Sequence, residues 1–168
     1  VAPHTAADVA FVTGMIHHHS QALEMTALVA DRAALPDLAL LAERMSIGQT
    51  DEIVQLEQWL TARGEPLPTH GADHGGSTGS DHGELMPGML DDTQMAELAA
   101  ASGEAFDTLF LTSMIRHHEG AIAMVQALLD GGGGQEPAVF QLADGMSVDQ
   151  AVEISRMKSI LAELVPPE

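Results

Sequence analysis

The sequence contains no cysteine and no tyrosine, a single tryptophan, and six lysine or arginine residues in 168 positions. Without cysteine there is neither a disulfide framework nor a thiolate metal site, and both reducing and oxidising compartments tolerate such a chain. Aromatics make up 3%, whereas the helix formers alanine, leucine and methionine are abundant, which is a poor composition for sheets. The few cations face 25 acidic residues, for a formal net charge of −19. That field repels nucleic acid and anionic membrane surfaces and attracts cations. No apolar run approaches the roughly 20 residues that span a bilayer, so membrane insertion is not expected. Phosphate-loop and nucleophile motifs are missing as well.

What is present is a chain 45% hydrophobic, enough for a real core, and it reads as a single helical domain over 1–168. It is built twice. At a shift of 99, positions 11–25 match 110–124 at Phe, Thr, Met, Ile, His, His, Ala and Met, eight identities in fifteen. Met45, Ser46, Gln49, Glu52, Ile53 and Leu60 return at a shift of 101 as Met146, Ser147, Gln150, Glu153, Ile154 and Leu161.

The first helix is predicted over Ala6 to Asp31, with Phe11, Met15, His18, Ala22, Met25 and Val29 on one stripe. A second runs from about Pro36 to Ala62 and stops at Gly64. Its inward stripe is Leu38, Leu41, Met45, Gln49, Glu52, Leu56 and Trp59 or Leu60. Residues 64–90 read as a flexible linker rich in glycine and histidine, ending in Met86-Pro87-Gly88-Met89. Its length is expected to carry it across the bundle's length or end. Asp91 or Asp92 caps a short helix through Ala101, and Gly103 is a kink or break. Glu104 to Asp130 repeats the first helix, with stripe Phe110, Met114, His117, Ala121, Met124 and Leu128. The last helix opens at Pro137 and runs to about Leu164. Each half, about 5–63 and 91–165, is therefore an αα-hairpin, and the expected fold is an all-α four-helix bundle.

Adjacent helical residues point about 100° apart, so both histidines of a pair cannot face the same way. The stripe selects His18 and His117 as core-facing, puts His19 and His118 on its shoulder, and leaves His17 exposed where the second copy has Arg116. A buried imidazole must hydrogen-bond or bind a metal, because an unpaired buried polar group costs roughly 1–3 kcal/mol. Met15 with His18 or His19, and Met114 with His117 or His118, lie at the three- and four-residue spacings that let them converge on one ion. Met25 and Met124 lie about 10 Å further along the axis and would serve another layer. The partner helices add Met45, Glu52, Met146 and Glu153. Imidazole with thioether selects Cu(I) or Ag(I), and imidazole with carboxylate would suit zinc, Cu(II) or Fe(II). Glu52 and Glu153 are either ligands or acceptors for the second ring N–H of the histidines. A methionine stripe is ordinarily core filler, and a core histidine is ordinarily a satisfied structural residue. Recurrence of His-His and Met at one register in both halves is what an arbitrary core would not require. The linker histidines His70, His74 and His82 lie between solvated linker and weak metal capture, and Met86 and Met89 stand in a polar loop where core filling is a poor account.

The stretch Phe110-x3-Met114-Ile115-Arg116-His117-His118-Glu119-Gly120-Ala121-Ile122-Ala123-Met124, its copy at Phe11–Met25, Met86-Pro87-Gly88-Met89 and Gln94-Met95-Ala96-Glu97-Leu98 resemble the DUF305 family of ferritin-like four-helix proteins. The resemblance covers nearly the whole chain. It implies the fold, export to the periplasm or beyond, and metal handling, since some members resemble periplasmic copper-binding or copper-resistance factors. A start at Val1-Ala2-Pro3 without methionine fits a processed or trimmed chain. One departure stands out: Ser20-Gln21 replaces Glu119-Gly120 in the first copy, so the halves need not bind alike.

The leading expectation is a non-catalytic, extracytoplasmic protein that sequesters or transfers Cu(I). A di-iron or di-manganese oxidase would need paired Glu-x-x-His motifs, and the chain has none. The third possibility is a metal-free structural or interaction module with the histidines bonded to Glu52 and Glu153.

Overall fold

The computed structural model describes residues 3–69 and 85–164, all of them helix, turn or irregular structure. The helices are α1 (Ala6–Ala27), α2 (Val29–Arg32), α3 (Pro36–Ala62), α4 (Asp92–Ala100), α5 (Gly103–Asp130) and α6 (Pro137–Leu164). The linker histidines His70, His74 and His82 lie outside the described residues.

Local chemistry sets the starts. Thr5 and Asp8 form a capping box on α1, Asp91 and Gln94 form one on α4, and Pro36 occupies the first turn of α3. The first helix is shorter than its pattern predicts. The Leu28 N–H turns back to Met25 O, three residues earlier, which tightens the last turn and leaves Val29–Arg32 as a separate turn. Gly103, at φ +65°, begins α5 and does not kink it.

The four long helices pack side by side: α1 against α3, α5 against α6, α1 against α5 and, more loosely, α3 against α6. Two apolar clusters fill the interior. One includes Met25, Met45, Phe106, Phe110, Met114 and Met157; the other includes Phe11, Met15, Leu56, Trp59, Val125 and Met146. The first helix of each half gives residues to both clusters, and its paired histidines belong to neither.

Two buried aspartates tie the halves together. Asp8 accepts from the Gly134 N–H (2.7 Å), in the turn between α5 and α6. Asp107, its counterpart at the shift of 99, accepts from the Ala34 and Leu35 N–H groups before α3, Leu35 at 3.0 Å. Each half thus holds the other half's turn. Burial alone would push the Asp8 carboxyl up, but the Gly134 and Thr5 donors outweigh it and hold its pKa below the ordinary value. Replacing Asp107 with alanine leaves those backbone donors without their acceptor. The expected loss is about 2 kcal/mol, seen as a lower urea midpoint at unchanged slope. At the end of α3, the Arg63 guanidinium pairs with Glu136 and lies over the Trp59 ring at 4.3 Å, while Trp59 Nε1 donates to Glu136 (2.8 Å).

Candidate metal centre

All four paired histidines are buried, at 0% exposure for His18 and His118 and 1% for His19 and His117. His19 and His118, expected on the shoulder of the stripe, are as deeply buried as His18 and His117. Each of α1 and α5 is covered on two sides, so the buried arc takes in neighbouring side chains. His17 and Arg116 are exposed, as their place outside the stripe requires.

His18 and His117 meet across the two halves with ring centroids 3.9 Å apart and planes at 39°. The consecutive pairs are wider, 6.5 Å for His18 and His19 and 6.3 Å for His117 and His118. His19 Nε2 lies 2.5 Å from a Glu52 carboxylate oxygen, and His118 Nε2 lies 2.5 Å from Glu153. Those carboxylates accept the ring N–H and leave the Nδ1 lone pair free, the ordinary arrangement behind a metal-ligating histidine. His18 Nε2 donates to Pro87 O (2.9 Å), since a carbonyl can only accept, and again Nδ1 carries the lone pair.

The result is a group of buried nitrogens with no hydrogen bond among the described residues: Nδ1 of His18, His19 and His118, and Nε2 of His117. The Gln49 Oε1 is unpaired as well. Gln49 and Gln150, both buried, line a cleft of about 400 Å³ between α3 and α6 together with Glu52, Asp149 and Glu153. Burial pushes the His18 pKa down to about 4. Burial and then the imidazole of His18 hold His117 well below the ordinary value. Both rings are therefore neutral, with lone pairs available, at physiological pH. Among the described residues no three His, Asp or Glu side chains are grouped closely enough to hold one metal ion.

The methionines divide. Met15 and Met146 stand in one apolar cluster, Met25, Met45 and Met114 in the other, all buried. Met124, expected on the inward stripe, is only partly buried and turns toward Gly14.

Three contributors lie outside the candidate ligands named from the sequence. The backbone of Met86–Met89 crosses α1 and α5 so closely that a Cβ on Gly120 would stand 1.9 Å from Pro87 O, and one on Gly88 would stand 2.3 Å from Arg116 O. Gly88 also has φ +77°. Gln21 clasps Leu90 by donating to its carbonyl and accepting from its N–H, both at 2.8 Å. Gln21 and Gly120 occupy one repeat position, among those where the two copies differ. One segment crosses two related helices, so one helix offers a bare backbone and the other a side-chain clasp. The mismatch between copies was the available signal.

The fold and the site define an all-helical protein with two histidine pairs buried at one level between apolar clusters. The chain belongs to the DUF305 family, a domain of unknown function, whose pattern it matches over residues 8–161. It is similar to a DUF305 fragment from Deinococcus radiodurans at 32% identity, with 96% of this chain and 99% of that one covered and a TM-score of 0.80. A putative secreted DUF305 protein from Streptomyces coelicolor is 29% identical, covering 94% and 93%, with a TM-score of 0.78. CopM in its Cu(I)-bound form is 26% identical, covering 94% and 97%, with a TM-score of 0.73. CopM is also known in Cu(II)-bound and silver-bound forms. No curated protein sequence matches the chain. Among the described residues no helix is long and apolar enough to cross a membrane.

Proposed function

We propose that this protein is an extracytoplasmic binder of a soft monovalent cation, Cu(I), which it sequesters or passes on through His18, His19, His117 and His118. The observation that carries this reading is the set of four unpaired imidazole nitrogens in the core. Left metal-free, each would cost roughly 1–3 kcal/mol, so a purely structural role gives the weaker account.

Charge and spacing favour a monovalent ion. Two imidazoles binding one ion from opposite sides put their centroids about 6 Å apart, given metal–nitrogen distances near 2 Å. The consecutive pairs at 6.5 and 6.3 Å fit that spacing, and the stacked inner pair at 3.9 Å is too close. Each consecutive pair therefore takes one ion with two nitrogens, a coordination number that Cu(I) and Ag(I) accept. Zinc and ferrous ions call for a larger donor group. Met15, Met114, Met45 and Met146, on either side of the histidine level, supply a soft apolar surround. Met25 and Met124 lie further out on their helices. Glu52 and Glu153 fix tautomers, and the cleft they share with Asp149 is the acidic approach to the pairs. The likeness to CopM, solved with Cu(I) and with silver, supports the choice of ion. The likeness to a putative secreted protein supports export. We read the four long helices as a ferritin-like bundle of duplicated hairpins, used for binding and not for catalysis.

The test is anaerobic Cu(I) titration against a coloured chelator, for the parent and for His18→Ala/His117→Ala, with folding checked by circular dichroism. Removing one ligand from each pair should weaken binding more than about a hundredfold. Equal affinity in a folded variant would move the ion elsewhere, and absence of competition by the parent would sink the copper reading.

A further inference from the structure

We infer a second soft-cation site on the outside of the bundle, formed by the thioethers of Met86 and Met124 with the imidazole of His17. It does not depend on the reading of the buried histidines. A Cβ added to Gly14 would stand 3.3 Å from Met86 Sδ and 3.4 Å from the Met124 methyl, so both side chains meet over bare helix backbone. The second copy carries Ser113 at that place. Both methionines are partly buried; Met124 rests on the edge of the apolar cluster that holds Met15 and Met146, whereas Met25, its repeat counterpart, is fully buried. His17 lies one turn beyond Gly14, is exposed, and lines with Met86 and Gly14 a surface cavity of about 630 Å³.

Met86 is also held in place. It begins the segment that Gly120, Gly88 and Gln21 receive against α1 and α5, so its thioether is presented from an anchored backbone. Two thioethers and an imidazole, in a chain without thiolate, make a donor set selective for Cu(I) or Ag(I) over harder divalent ions. The next residue, Pro87, places its carbonyl on His18 Nε2. A cation held here stands beside the segment that covers the inner histidine, on the opposite flank from the acidic cleft between α3 and α6.

The test is NMR of the full chain carrying ¹³C-methyl methionine, titrated with Ag(I). The methyl signals of Met86 and Met124 should shift together, in the parent and equally in His18→Ala/His117→Ala. Met86→Leu, close in volume, should lower the Ag(I) stoichiometry by one and leave the Met124 methyl unmoved. His17→Ala should weaken the site about tenfold or more. Met86 and Met124 signals that stay still at saturating Ag(I), or a Met86 shift without Met124, would overturn the proposal. Met15 and Met114 report the buried histidines separately, so failure at one site is readable apart from failure at the other.

Discussion

Gly120→Ala should destabilise the protein by about 2 kcal/mol or more, although alanine in a helix interior ordinarily gains about 1 kcal/mol over glycine. The sign reverses because the new methyl would stand 1.9 Å from Pro87 O and 2.4 Å from Pro87 C. Neither atom belongs to a flexible side chain, so the crossing backbone must lift. Lifting it breaks the bond from His18 Nε2 to Pro87 O and strains the Gln21 clasp on Leu90. A buried donor on His18 then loses its acceptor, which overpacking alone would not cause. Urea unfolding gives the loss, and hydrogen exchange at the Leu90 amide gives its location. An unchanged midpoint with a fully protected Leu90 amide would show that this segment is not held as described.

The metal-free protein should lose stability steadily as the pH falls from about 6.5 to about 4, the His18 values in the unfolded and folded states. The folded pKa lies below the unfolded one, so the unfolded chain takes up the proton first and stability falls with pH across that window. Above about pH 6.5 the contribution is complete. At the lower end, His18 alone accounts for about 3 kcal/mol, from 1.36 kcal/mol per pKa unit. His117 acts in the same direction, through burial and then its neighbouring imidazole. Asp149 opposes them near the bottom of the range: burial, then Glu52 and Glu153, raise its pKa, so folding favours its protonated form. Thermal denaturation between pH 8 and 4 measures the slope, and His18→Ala/His117→Ala should flatten it. A parent equally stable at pH 6.5 and 4.5 would contradict the burial of neutral imidazoles.

The sequence by itself determined the helical class, the span of α3 from Pro36 to Ala62 and the existence of α4 behind an aspartate cap, with Asp91 and Asp92 left open as the cap. These follow from period, proline, glycine and capping side chains, all of which act over a few residues. It also set the level of the buried histidines, because the repeat puts both pairs at one register, and it placed His17 and Arg116 outside. Tertiary structure alone decided that both members of each pair are buried. Periodicity assigns each side chain one direction, whereas α1 and α5 are each enclosed by two neighbours, and only their packing sets the width of the covered arc. It likewise decided that Met124 sits at the edge of an apolar cluster beside Gly14, that Asp8 and Asp107 hold the opposite half's turns, and that the Pro87 carbonyl caps His18. Those contacts join residues far apart in the chain, 69 positions for His18 and Pro87, and no local pattern encodes which distant backbone will arrive.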